Sequence, residues 1–273
     1  MKLIASDFDG TMLRPDSTLS EYSKTIIKKL YENGNFIFVP TTGRCYRSIA
    51  SKVGEIEEIR YFNTSNGCLL YDRQEDNFLI NHILPDNLAY EIFQDVKELD
   101  GAMEVYSDLD SYLEPDMFPL AMIAFNKTLS EDLYKTTIPM EGIGEKIRCG
   151  ELKVNKYNAV FRNPEDKQRI FDKYSKRDDI IVTIPTIYNL EIFYAGVDKD
   201  TGLAIISEKE GIAHEDTIAI GDSINDMEMV RYAHLGLAVA NSMEPLKEVA
   251  DEIILSNAED GPAKYLEALL GTK

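Results

Sequence analysis

Asp7-Phe8-Asp9-Gly10-Thr11 follows the short apolar run Leu3-Ile4-Ala5, so two carboxylates stand two residues apart just beyond a segment suited to a buried strand. Gly10 permits the tight turn that carries the chain out of that strand. In open α/β sheets ligands bind at the carboxyl ends of the strands, and this placement puts both acids there. Alone, the motif admits three readings: an Asx-rich turn, an isolated calcium loop, or a nucleophilic carboxylate followed by a second acid for proton transfer. The calcium loop fails on spacing, because Thr11 stands where a third acid is needed and Gly10 comes too early. The rest of the chain decides between the other two.

Downstream, Ser20 is placed to cap a helix whose apolar face is Tyr22, Ile26, Ile27 and Leu30, and Asn33-Gly34 stops it. Phe36-Ile37-Phe38-Val39 reads as a second buried strand, ending at Pro40-Thr41-Thr42-Gly43-Arg44. Strand, helix, strand implies a right-handed parallel unit. It brings Thr41-Thr42-Gly43 to the sheet edge that carries Asp7, where a hydroxyl and backbone amides suit an anion. On its own this element is equally a Thr-rich helix cap. Asn66-Gly67 then reads as the turn of a hairpin between Tyr61-Phe62 and Cys68-Leu69-Leu70-Tyr71.

The middle third changes character. A helix over 87–99, strands at 103–106, 112–114 and 157–161, a helix near 131–134, another over 165–174 and a β-branched strand at 180–184 together read as an α+β module. From Leu190-Glu191-Ile192-Phe193 the first pattern resumes, with a strand ending at Gly196-Val197-Asp198-Lys199 and Asp198 capping the next helix. Thr217-Ile218-Ala219-Ile220 runs straight into Gly221-Asp222-Ser223-Ile224-Asn225-Asp226. Further core strands follow at 235–239 and 252–255, and a last amphipathic helix spans 261–270. The expected architecture is α/β: a doubly wound parallel-sheet, Rossmann-like core over residues 1–81 plus 188–273, with an inserted α+β domain over 82–187.

Composition bounds the function. The 273 residues hold 48 acidic and 29 basic side chains, a formal net charge of −19, so the general field repels nucleic acid and anionic membrane. An anionic substrate therefore needs a local positive site. Cys45, Cys68 and Cys149 are scattered without metal-ligand or redox spacing. The beginning of the chain carries no long apolar signal-like segment, and no apolar run approaches membrane-spanning length, so a soluble cytoplasmic protein is expected.

Taken in order, Asp7-Phe8-Asp9-Gly10-Thr11, Thr42-Gly43-Arg44, Asn66-Gly67, Gly196-Val197-Asp198-Lys199, the stretch from Gly221 to Met229 and Glu259-Asp260-Gly261 resemble the haloacid dehalogenase superfamily. Within it they resemble the Cof-type phosphatases with a C2B-type cap. Asp200 stands where a glycine often follows the lysine, and Thr42 rather than Thr41 matches the family element. The resemblance implies a Mg²⁺-dependent phosphatase acting on a small phosphorylated metabolite through an aspartyl-phosphate. It makes Asp7 the nucleophile and Asp9 the general acid and base. Asp7, the Asp9 backbone carbonyl and Asp222 become the metal ligands, with Asn225 and Asp226 supporting them. Phe8, Asp9, Thr42, Gly43, Lys199 and Asn225 become the phosphate contacts, and residues 82–187 the cap that selects substrate. A phosphomutase of the same superfamily and a non-catalytic phosphometabolite-binding regulator are the competing readings. A monomer or homodimer is expected.

Overall fold

Leu3, Ile4 and Ala5 are completely buried because the strand Lys2–Ser6 lies inside a five-stranded sheet. In the computed structural model, which describes every residue except 55, 123–130, 132–134 and 272–273, the strands run Glu252–Ile254, Leu235–Val239, Thr217–Gly221, Lys2–Ser6, Phe36–Pro40 across that sheet. Every neighbouring pair is parallel. Strands buried on both faces need continuous apolar runs rather than alternation, and four of the five supply them; Glu252–Ile254, expected as a core strand, lies at the sheet edge with Ile253 54% exposed. On one face Leu3, Ala5, Ile37 and Val39 pack with Leu203, Ile206, Met229 and Leu246. Ile4 and Phe38, pointing the other way, are equally buried, on the side where the helix Glu21–Asn33 meets the strand Phe36–Pro40. Ser20 caps that helix by accepting from the Ser23 amide at 3.0 Å, and Gly34 ends it in the left-handed conformation.

Strand order decides where chemistry can sit. The chain steps from Lys2–Ser6 to Phe36–Pro40 on one side and later returns to Thr217–Gly221 on the other. A crevice opens outside the carboxyl ends of strands at such a switch point. Ser6 stands opposite Ile220, and the Asp7 amide donates to the Ile220 carbonyl at 2.9 Å, so Asp7 and Asp222 leave adjacent strands side by side.

Contacts divide the chain into two units: Met1–Arg44, Ile49–Ile80 and Val197–Lys273 around the parallel sheet, and Cys45–Ser48 with Asn81–Gly196 around a second sheet. The first also contains a three-stranded sheet of Tyr61–Thr64, Leu69–Asp72 and Asn77–Asn81, its first two strands joined by the expected Asn66-Gly67 turn. The second sheet has six strands in the order Ile180–Thr183, Asn189–Tyr194, Lys156–Val160, Ala102–Ser107, Asp110–Leu113, Thr137–Pro139. Asp86–Glu98 and Pro164–Tyr174 supply its main helices, and Leu88, Ile92, Phe93, Val96 and Ile170 pack with Val105, Tyr157 and Ile192.

The division differs from the sequence reading at its second boundary. Asn189–Tyr194 pairs antiparallel with Lys156–Val160 and with Ile180–Thr183, and buries Leu190 and Ile192 in the second unit's core. The return to the first unit comes at Val197, not at residue 188. Lys199 accordingly follows no strand of the parallel sheet; it opens the helix Lys199–Glu210, capped by Asp198. The strands Asn77–Asn81 and Thr137–Pro139 and the helix Ile143–Arg148 were not expected. The helix expected near 131–134 falls mostly outside the described residues. Among the described residues no helix is long and apolar enough to cross a membrane.

Candidate active site

Asp7 emerges from its strand with extended backbone, after which the chain winds through Phe8–Met12. Phe8 points into the core beside Phe38, 6.4 Å between ring centroids, so only its backbone remains for ligand contact. Gly10 makes the winding possible in two ways. Its φ of 82° lies in the left-handed region, and a Cβ there would stand 2.3 Å from Asp222 Oδ2. The turn is then braced from the far end of the chain. Asn241 Nδ2 donates to the Gly10 carbonyl at 2.8 Å, Asn257 Nδ2 to the Leu13 carbonyl at 2.8 Å, and Arg14 holds both oxygens of Asp260.

Lys199 is the centre of the site. Its Nζ, 1% exposed, donates to Asp7 Oδ1 and to Asp226 Oδ1, each at 2.6 Å. Burial alone would push the ammonium pKa down, but Asp226 and Asp7 carry it above its ordinary value and keep it charged. The other oxygen of Asp226 accepts from the Asp222 and Ser223 amides at 3.0 and 3.1 Å. Both oxygens of Asp226 are thereby engaged, and it serves to hold Lys199 and the turn after Thr217–Gly221.

Asp7 and Asp222 are less well provided for. Burial raises the Asp7 carboxyl well above its usual range, and Asp226, Asp222 and Asp9 add to this despite Lys199. Burial, then Asp226, push Asp222 up to about 7, against Lys199 and a hydrogen bond from Thr11 Oγ1 to Asp222 Oδ1 at 3.3 Å. The two carboxylates share one lysine with Asp226, which leaves the cluster short of positive charge.

Asp9 is held differently. Arg44 Nε donates to Asp9 Oδ2 at 2.6 Å and Nη2 to Oδ1 at 2.7 Å, a two-pronged pair in which Asp9 keeps 44% of its side-chain surface exposed. Desolvation would raise its pKa, but Arg44, with Lys199 and Lys52 beyond, brings it below the ordinary carboxylate range.

Thr41 and Thr42 are both buried, and their hydroxyls have different duties. Thr41 Oγ1 donates its proton to the Val39 carbonyl at 3.3 Å, whereas Thr42 Oγ1 accepts from the Arg44 amide at 3.2 Å and so keeps a proton to give. Gly43 lies in the same bend. Asn225 is exposed; its Oδ1 accepts from Ser223 Oγ at 2.5 Å, which leaves its amide N–H groups to donate.

The fold thus gathers Asp7, Lys199, Asp222 and Asp226 into direct or near contact, with Asp9 and Thr42 linked through Arg44. Sequence reasoning assigned no role to Arg44, Thr11 or Asn241. Asn241 had a signal, since it follows the strand Leu235–Val239 at the sheet's functional edge. Nothing local ties an arginine to an acid 35 residues earlier.

At the switch point of the parallel sheet, carboxylates gather around one buried lysine, which defines an α/β enzyme core. The chain belongs to the haloacid dehalogenase-like hydrolases, whose family profile matches residues 4–266. It is 26% identical over 267 residues to the 5-amino-6-(5-phospho-D-ribitylamino)uracil phosphatase YitU of Bacillus subtilis, covering 97% of this chain and 96% of the relative. With YcsE, of the same name and organism, the identity is 25%, covering 97% and 94%. A haloacid dehalogenase-like hydrolase from Bacteroides thetaiotaomicron shares the fold with a TM-score of 0.84 at 22% identity, over 98% of this chain and 99% of that one. TM0651 from Thermotoga maritima does so with 0.81 at 24%, over 98% and 97%.

Proposed function

We propose that this protein hydrolyses small phosphomonoesters with the help of Mg²⁺, through a phosphoryl group carried briefly on Asp7. The observation that carries this reading is the Asp7 carboxylate itself: one oxygen is fixed by Lys199 at 2.6 Å, and the other takes no hydrogen bond among the described residues. It is positioned and unoccupied, as a nucleophile needs to be. Asp7 attacks phosphorus and the bond to the alcohol oxygen breaks. Asp9 gives that oxygen a proton, then takes one from the water that cleaves the acyl phosphate and restores Asp7. Two residues beyond Asp7 and partly exposed, Asp9 suits a group that meets both alcohol and water. The Thr42 hydroxyl, the amides of Phe8, Asp9 and Gly43, Lys199 Nζ and the Asn225 amide are the proposed phosphate contacts.

The donor set fits a magnesium ion. Asp7, Asp222 and Asp226 present carboxylate oxygens within 4.8 Å of one another, and hard oxygens are what this cation takes. Because both Asp226 oxygens are already engaged, Asp7 and Asp222, with the Asp9 backbone carbonyl, are the residues that would hold it. The absent Cβ of Gly10 leaves Asp222 Oδ2 uncovered. When bound, the ion supplies the charge that lets a phosphate approach Asp7.

Choice of substrate is assigned to the inserted unit, as a cap. Two relatives carry, in their names, a phosphorylated ribityl compound, which supports a phosphorylated sugar or polyol metabolite as the substrate class. The test is phosphate release across a panel of phosphorylated metabolites. Release is expected only with a divalent cation, to stop with EDTA, and to fall at least roughly 1,000-fold in Asp7→Asn. A clean wild-type protein that is inert on the entire panel contradicts the reading.

A further inference from the structure

We infer that Asn63 is a positioning residue that sets Lys199 and the Thr42 turn relative to each other; the inference rests on the phosphatase reading above. Asn63 lies in the strand Tyr61–Thr64 and is fully buried. Its carbonyl accepts from the Thr42 amide at 2.9 Å, and its Nδ2 donates to the Lys199 carbonyl at 2.8 Å. One residue therefore grips two of the three segments whose side chains are assigned to phosphate.

The surroundings are shaped to allow this grip. The Asn63 amide lies against Gly202 in the lysine's helix, where a Cβ would stand 2.5 Å from Nδ2 and 2.7 Å from Cγ. The loop that follows, Ser65, Asn66 and Gly67, has φ values of 54°, 58° and 91°, three left-handed residues in a row. It docks on the same two segments. Ser65 and Asn66 amides donate to the Arg44 and Thr42 carbonyls at 2.9 and 3.1 Å, and a Cβ on Gly67 would meet the Asp198 carbonyl at 2.5 Å.

This arrangement is unfavourable for stability. Asn63 Oδ1 and Ser65 Oγ are buried without a hydrogen-bond partner among the described residues, a cost an apolar side chain in the same space would not incur. Strain and unsatisfied groups concentrate where function constrains the backbone. The geometry points to function as the reason an amide is kept at position 63.

Asn63→Leu, which keeps the branch at Cγ and lacks both the donor and the orphaned acceptor, separates the two roles. With p-nitrophenyl phosphate, kcat is expected to fall roughly 10- to 100-fold through misplacement of Lys199, while the thermal midpoint is unchanged or raised. In a Lys199→Met background the same substitution is expected to cost nothing further, since the group it positions is gone. Should Asn63→Leu fail to fold, Gly202→Ala displaces the amide from the helix side and carries the same expectation for kcat. Undiminished kcat in the folded variant overturns the inference. So does a loss that tracks a lowered midpoint and recurs in full in the Lys199→Met background. Wild type and Asp7→Asn run alongside: an active wild type with an unaffected Asn63→Leu refutes this inference alone, whereas an inert wild type refutes the phosphatase reading and the inference with it.

Discussion

At the scale of single residues, Lys199 explains why the acids of this chain act as a set. Three carboxylates surround one buried ammonium, and the lysine's two short bonds go to Asp7 and Asp226. Removing one member of a buried ionic group strands the others, so Lys199→Ala is expected to lower the unfolding free energy by about 3–5 kcal/mol and to leave only a small, measurable residue of turnover. Urea unfolding of the metal-free protein checks the first part; a change under about 1 kcal/mol would contradict it. Arg44 makes a second residue-scale case. It holds Asp9 below its ordinary carboxylate pKa against the pull of desolvation, so in Arg44→Ala the Asp9 pKa should rise. A general acid with a raised pKa stays protonated to higher pH, so the alkaline limb of kcat/KM is expected to move upward. A pH–rate profile with both limbs unmoved would remove Arg44 from this role. The acids and the lysine were legible in the sequence as motifs. The arginine's partnership was not, because it is a tertiary contact with no local spacing rule behind it.

At the scale of elements, the carboxyl ends of Lys2–Ser6 and Thr217–Gly221 stand side by side, and Gly10 and Gly221 allow the turns beyond them to pack closely. Gly10→Ala places a methyl 2.3 Å from Asp222 Oδ2 at a φ of 82°, which should cost about 1–3 kcal/mol in stability and weaken divalent-cation dependence of activity several-fold. Denaturant titration and a Mg²⁺ activation curve measure the two effects; a wild-type activation curve would contradict the placement of the ion. Elements also mark where reading from sequence stops. The parallel-sheet strands announce themselves by continuous apolar runs that end in turn residues. Leu190-Glu191-Ile192-Phe193 has the same look, yet Leu190 and Ile192 face the other unit's core. What assigns that strand is its antiparallel register with Tyr157 and Ala159, some 30 residues away, and hydrophobicity carries no record of a partner. Thr137–Pro139 and Asn77–Asn81 escaped notice for a related reason. They are short strands at the edges of their sheets, too brief or too exposed to show a period.

At the scale of the molecule, the site's charge imbalance is coupled to folding. Asp222 is pushed up to about 7, and Asp7 well above its usual range, by burial and by their acidic neighbours. Folded pKa values above the unfolded ones mean that the folded state binds more protons in the intervening window. Metal-free stability should therefore fall as pH rises from the ordinary carboxylate range, about 4, toward 7 and beyond. A bound cation competes with those protons, so Mg²⁺ should raise the thermal midpoint more at about pH 8 than at about pH 5.5. Calorimetry at the two pH values, with and without the ion, decides this; a metal-free midpoint that climbs across the interval would contradict the assignment. The architecture itself, an α/β core interrupted by an α+β insertion, was legible because strand, helix and strand recur around Asp7 and again around Asp222. The second boundary and the fine geometry of the site were not, since both depend on pairing between distant segments. The central claim is that Asp7 carries the phosphoryl group, and the most direct measurement is acid quenching of Asp9→Asn mixed with Mg²⁺ and a phosphomonoester, followed by peptide mapping. A phosphoryl group on the peptide containing Asp7, absent from the Asp7→Asn, Asp9→Asn double variant, is expected. Phosphate release that persists in Asp7→Asn, or a label found elsewhere, would contradict it.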